Sequence, residues 1–187
     1  ANPEDYTNRG SIVTPLKDRI GSQILTHYPE TIEVAKTITS QEAALDGRQS
    51  STIFIPELAK DILEQIVFEA RKSEFVDVKS GVSARLSITA FENLVSTAER
   101  RLLHSGDDKT GIRMSDFIGI IPAITGKIEL VYEGEQEGAH SVALTLLGGA
   151  IKTLYSKYFP KIEKLEKQGV ETPYDEIVSW FFNTSDD

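Results

Sequence analysis

The chain has 187 residues, 40% of them hydrophobic and 26% charged, with a net charge of −9 from 29 acidic and 20 basic side chains. That length buries a substantial core, while the acidic balance excludes broad attraction to nucleic acid or to an anionic membrane, which need a surplus of Lys and Arg. The lack of cysteine excludes disulfides, thiolate metal sites and thiol chemistry, and suits a reducing cytoplasm.

Residues 1–29 are rich in turn formers (Asn2-Pro3, Asn8-Arg9-Gly10, Pro15, Gly21, Pro29) and hold one short strand candidate, Gln23-Ile24-Leu25-Thr26. Opening at Ala1-Asn2-Pro3, the chain reads as interior text, so the expectation is the C-terminal part of a longer protein. Pro29 or Glu30 opens a predicted helix through about Ala44, and Gly47 with Ser50-Ser51 marks its break. Pro56 starts the next, in which Leu58, Ala59, Ile62, Leu63, Ile66, Val67 and Ala70 recur at three- and four-residue steps. Glu57 and Asp61 early and Arg71 and Lys72 late complement the dipole of that helix.

Ser87 or Thr89 is the expected cap of a helix whose face is Ile88, Phe91, Leu94, Val95, Ala98 and Leu102, ending near His104-Ser105-Gly106. Ser115 is the expected cap for Asp116 through Ile121, with Pro122 kinking or restarting the helix. Lys127 to Tyr132 alternates as an extended segment does. Helices are predicted over Ser141–Tyr158 and Tyr174–Phe182, the latter with Trp180 and Phe181 as packing anchors. No apolar run reaches the ~20 residues of a membrane-spanning helix.

Few residues offer chemistry. His27, His104 and His140 are scattered, without the spacing of a metal site. Glu133, Glu135 and Glu137 are interleaved with Gly134 and Gly138 and lack the order of a calcium loop; they read as a solvated loop or a subunit-contact edge. No serine stands in a nucleophile elbow. No phosphate-cradling G-x-x-x-x-G-K-[ST] is present: Gly126-Lys127 comes nearest, but Ile128 replaces the hydroxyl residue. The chain by itself is therefore not expected to hydrolyse ATP.

Arginines remain. Gly81-Val82-Ser83-Ala84-Arg85 delivers a guanidinium to the mouth of a helix, where a cation opposes the dipole and calls for an anion such as phosphate. Arg19 in Leu16-Lys17-Asp18-Arg19-Ile20-Gly21 sits in a similar setting, with a surface pair to Asp18 as the plainer alternative. Arg9 is a third candidate or a solvated turn residue.

Asn2-Pro3 followed by Leu16-Lys17-Asp18-Arg19-Ile20-Gly21 resembles the N-P…L-x-D-R-F stretch of AAA+ ATPases, in the branch of MoxR proteins and the magnesium-chelatase ATPase subunit. Gly81 to Arg85 resembles that branch's G-x-S-x-R second sensor. Ser115-Asp116 with Pro122 and Gly126-Lys127-Ile128, then Tyr132 to Gly138, are similar to the lid ending and the acidic segment after it. Ile20 stands where the family usually has Phe, and Ala84 where proline is frequent. The resemblance spans roughly residues 1–150 and rests on the order and spacing of these motifs.

It implies a first-sensor role for Asn2, an arginine finger at Arg19 acting on a neighbour's nucleotide, and phosphate contact by Arg85, in cis or in trans. It also implies ATP and Mg2+ held mainly upstream of Ala1, a ring (usually a hexamer), and a partner with a von Willebrand A-type domain. The expected fold is mainly α: residues 1–29 as the end of an α/β nucleotide-binding core, 30–135 as a helical lid, and 136–187 as a helical extension. The expected protein is cytoplasmic, with no nucleic-acid or membrane partner. The competing reading is a non-enzymatic acidic helical module that docks a partner through its surface and the Tyr174–Phe182 segment, its arginines forming salt bridges.

Overall fold

A computed structural model describes residues 19, 21–22, 24–77, 79–159 and 174–184. The described chain is mainly helical, as its periodicity predicts. Helix α1 (Ile32–Glu42) starts two residues later than expected, because Thr31 caps it by accepting from the Val34 amide (3.3 Å) while Pro29 and Glu30 stay outside. Next, the expected break is itself a helix, α2 (Gly47–Thr52). Asp46 accepts from the Gln49 amide (2.7 Å) and the Gln49 side chain accepts in return from the Asp46 amide (3.2 Å), a capping box that outweighs the poor propensity of Gly and Ser.

Strand β1 (Ile53–Phe54) pairs in parallel with β2 (Thr110–Gly111), Ile53 opposite Thr110. Between them lie α3 (Glu57–Ala70) and α4 (Arg85–Ser105), both on the predicted apolar spacing. The start of α4 differs from expectation. It begins at Arg85, and Ser87 is buried inside its first turn instead of capping it. It ends as predicted, with Gly106 in the left-handed region (φ 75°).

A 3₁₀ helix (Met114–Ile120) then runs into α5 (Ile121–Thr125), with Pro122 in the first turn. Ser115 is not its cap. Buried Asp116 accepts from the Arg113 amide (2.8 Å) and from both ends of the Arg101 fork (3.1 and 2.8 Å).

The alternating segment 127–132 is not a strand: only Leu130 bridges, to Val76, and Tyr132 opens α6 (Tyr132–Glu137). The glutamates of α6 are thus on a helix and not in a loop. Gly134 is needed there, because a β-carbon would strike the Phe75 carbonyl.

Helix α7 (Ala139–Tyr158) packs along α3, and Val142, Ala143, Leu146, Ala150 and Leu154 join Ile62, Leu63, Ile66, Phe117 and Ile124 in one core. Helix α8 (Asp175–Thr184) forms where expected, with Trp180 and Phe181 65% and 64% exposed.

The strand candidate is not formed over its described part: Ile24, Leu25 and Thr26 are irregular, with both apolar side chains exposed. An isolated apolar pair cannot form a sheet without a partner edge, and the strands among the described residues, β1 and β2, pair with each other. Gln23 and residues 1–18, with most of the expected α/β remnant, lie outside the described residues.

Candidate functional site

The site is built on the loop between α3 and α4. Asp77 starts it: its amide donates to the Glu129 carbonyl (2.8 Å), and its carboxylate accepts from the Lys79 amide (2.9 Å) and the Ser80 hydroxyl (3.0 Å). The same Ser80 hydroxyl also faces the Glu129 carboxylate, so the two carboxylates share its one proton. Gly81 takes φ 71°, which a residue with a β-carbon adopts only under strain, and its amide donates to the Asp77 carbonyl (3.3 Å). Val82 is buried and pins the loop to the core. Ser83 then accepts from the Arg85 amide (3.2 Å) through its hydroxyl and from the Leu86 amide (3.0 Å) through its carbonyl. Arg85, the first residue of α4, is exposed, and among the described residues no carboxylate pairs with it.

Arg71, one residue past α3, holds this loop from behind. Its Nε and Nη2 both donate to the Val82 carbonyl (3.3 and 3.2 Å), and its guanidinium lies 4.2 Å from the centre of the Tyr28 ring. The Tyr28 hydroxyl in turn sits where a β-carbon on Gly81 would be. Burial pushes the Arg71 pKa below its ordinary value, with Tyr28 and Glu64 pulling the other way.

Glu64 is the second support, and it is buried. It accepts from Thr39 of α1 (2.5 Å) and from Ser87 of α4 (2.7 Å), tying three helices at the base of the site. Burial raises its pKa above 4.5 despite those hydrogen bonds and the nearby Arg71. A raised folded value means the folded chain binds more protons, so the contribution of Glu64 is full below about pH 4.5 and lost as pH rises through the folded value. Glu64→Gln, which carries no charge to desolvate, should therefore gain on the wild type as pH rises from about 4 to about 7. Urea unfolding at the two pH values checks this; a constant difference would contradict it.

Of the other expected site residues, Arg19 is exposed in a turn, without an ion pair among the described residues, and no hydrogen bond joins it to Arg85. Asn2 and Arg9 lie outside the described residues. His27, His104 and His140 are exposed, and no group of metal-ligating side chains occurs among the described residues, the glutamates of α6 included. Among the described residues no helix is long and apolar enough to cross a membrane.

Arg71, Glu64 and Tyr28 are not singled out by sequence reasoning. The signal for Glu64 is there in hindsight: with Asp61, it sits one helical turn apart on the segment where α3 is apolar on the adjoining positions. An open groove of about 670 Å³ lies elsewhere, beside β1, lined by Ser40, Ser51, Phe54, Lys60, Phe91 and Lys109. Compared with protein-family models, curated proteins and solved structures, the chain matches none.

Proposed function

We propose that this chain is the lid-bearing, C-terminal part of a ring-forming AAA+ ATPase similar to MoxR proteins and the magnesium-chelatase ATPase subunit. In this reading ATP and Mg2+ are cradled by a segment preceding Ala1, Arg85 contacts phosphate from the lid, and Arg19 reaches the nucleotide of the next subunit, with Asn2 orienting the attacking water. Hydrolysis then drives remodelling of a partner carrying a von Willebrand A-type domain, or metal insertion by it.

The observation that carries the reading is Arg85. An exposed guanidinium without a carboxylate partner among the described residues, at the positive end of a 21-residue helix, is held against the dipole by a loop fixed at several points. A phosphate oxygen is the chemistry that makes this arrangement favourable, and arginine matches it with a planar fork that lysine lacks.

The test uses the polypeptide that joins this chain to its P-loop segment. Arg85→Ala should weaken ATP binding about 10- to 100-fold, the worth of a charge-assisted hydrogen bond. Calorimetric titration reads this directly, and unchanged affinity would remove Arg85 from the site.

One observation favours the interaction module instead: Ile177 and Phe182 of α8 are 63% and 70% exposed, an apolar surface suited to a partner. On that reading deletion of residues 174–184 abolishes partner capture while Arg85→Ala has no effect.

A further inference from the structure

We infer that Arg71 is a positioning residue: clamped between Tyr28 and the Val82 carbonyl, it ties the segment that carries Arg19 to the loop that carries Arg85. Its function in turnover rests on the ATPase reading, whereas the clamp itself is a property of this chain.

Tyr28 is the last residue before Pro29 and the α1 cap, nine residues after Arg19. Any change in the course of the chain between Arg19 and α1 has to pass this ring. The ring is only half-covered (50% exposed), yet it meets Arg71 face-on at 4.2 Å and closes over Gly81. A guanidinium over an aromatic face is attracted more strongly as it loses water, and Arg71 is half-buried. The same guanidinium grips Val82 through two nitrogens, so it cannot follow Tyr28 without dragging the loop.

Glycine at 81 serves both ends, giving the left-handed turn that aims Ser83 and Arg85, and leaving room for the Tyr28 hydroxyl. Beneath the clamp, a crevice lined by Pro29, Glu64, Arg71, Ala84 and Ser87 is too narrow to admit a water molecule. The Arg71 guanidinium carbon is also 5.5 Å from the centre of the Phe68 ring, which belongs to α3. Lysine would keep the charge but lose both the fork and the flat stacking surface.

The chain has no cysteine, so paired spin labels can be introduced cleanly. Labels at Thr26→Cys and His104→Cys, exposed positions on the incoming segment and at the far end of α4, report the angle between the two. The distance distribution should be narrow in the otherwise native chain. It should broaden in Tyr28→Leu, in Arg71→Gln and in Arg71→Lys, and should broaden no further when Tyr28→Leu and Arg71→Gln are combined. An unchanged distribution in Tyr28→Leu, an exposed substitution that leaves the core intact, overturns the clamp, as does simple addition of the two effects.

A second arm uses the polypeptide with its P-loop segment. There Tyr28→Leu and Arg71→Lys should lower kcat about 10- to 100-fold, the cost of a misplaced charged group, with KM kept within about twofold. If the labels broaden and kcat holds, the clamp stands and the phosphate role of Arg85 falls. Where the labels do not broaden, the clamp is overturned whatever happens to turnover.

Discussion

On the proposed ATPase reading, Arg19→Ala in a polypeptide that joins this chain to a P-loop segment is expected to cut ATP turnover by about 10³- to 10⁵-fold, or about 4–7 kcal/mol in barrier, while leaving nucleotide affinity nearly unchanged. The reason is charge development. In phosphoryl transfer negative charge spreads over the equatorial oxygens, and a finger arginine neutralises it there, more strongly than it touches the ground state. Arg19 is exposed in a turn, so its truncation should leave stability within about 0.5 kcal/mol of the wild type.

Subunit mixing decides whether the residue acts in trans. Arg19→Ala protein should regain turnover when mixed with protein whose P-loop lysine is replaced, because mixed rings then contain sites with an intact cradle and an intact neighbouring finger. Failure of the mixture, with both proteins assembled, means Arg19 acts within its own subunit. Equal loss of affinity and turnover would make it a binding residue, and loss of neither would make it a solvated turn residue.

The largest effect on stability belongs to Asp61. Its carboxylate is fully buried on α3 and accepts from Lys36 of α1 (2.6 Å), and from Lys157 and Tyr158 at the end of α7 (2.6 Å each). Burial alone would raise its pKa; the hydrogen bonds from Lys157, Lys36 and Tyr158 outweigh that and hold it at about 2, below the ordinary 3.8.

A depressed folded value means the unfolded chain binds protons first. The contribution of Asp61, about 2.5 kcal/mol, is therefore present above about pH 4 and lost as pH falls toward about 2. Asp61→Asn should destabilise the fold by about 2–4 kcal/mol at neutral pH. The upper limit is held down because Lys36 and Lys157, 21% and 51% exposed, can turn to water once the carboxylate is gone. Urea unfolding at neutral pH and near pH 3 tests both parts: the deficit of Asp61→Asn should shrink in acid. A deficit that is the same at both pH values would mean the residue acts through packing and not through its charge.

The long helices are legible because each commits an apolar stripe to the core. Leu94, Val95, Ala98 and Leu102 on α4, like Ile62, Leu63 and Ile66 on α3, have the spacing that burial then requires. Short elements are less legible, since local chemistry and tertiary fit decide them. Gly47 to Thr52 has the composition of a turn and is a helix through the reciprocal cap of Asp46 and Gln49. The segment 127–132 alternates, yet the chain presents only Val76 for Leu130 to pair with.

Ser87 looks like a cap because serine often is one. Its partner is a carboxylate on another helix, 23 positions away, which no local window contains. The same distance hides the Arg71 clamp. Its members are spread from Tyr28 to Val82, and each has an ordinary local explanation: a loop tyrosine, a helix-ending arginine, a core valine. Arg85 is the opposite case, conspicuous in sequence because a cation at a helix start is locally unfavourable.

The anchoring of α7 at Asp61 has a mechanical side. Because Lys157 and Tyr158 are riveted to the interior of α3, tension on the chain beyond Phe159 is borne at mid-bundle and not by unravelling the last turn. Asp61 is one turn from Glu64, which grips Ser87. A tug from the C-terminal side and a shift at the N-terminal turn of α4 are thus felt by the same short stretch of α3, making that stretch the axle of the bundle.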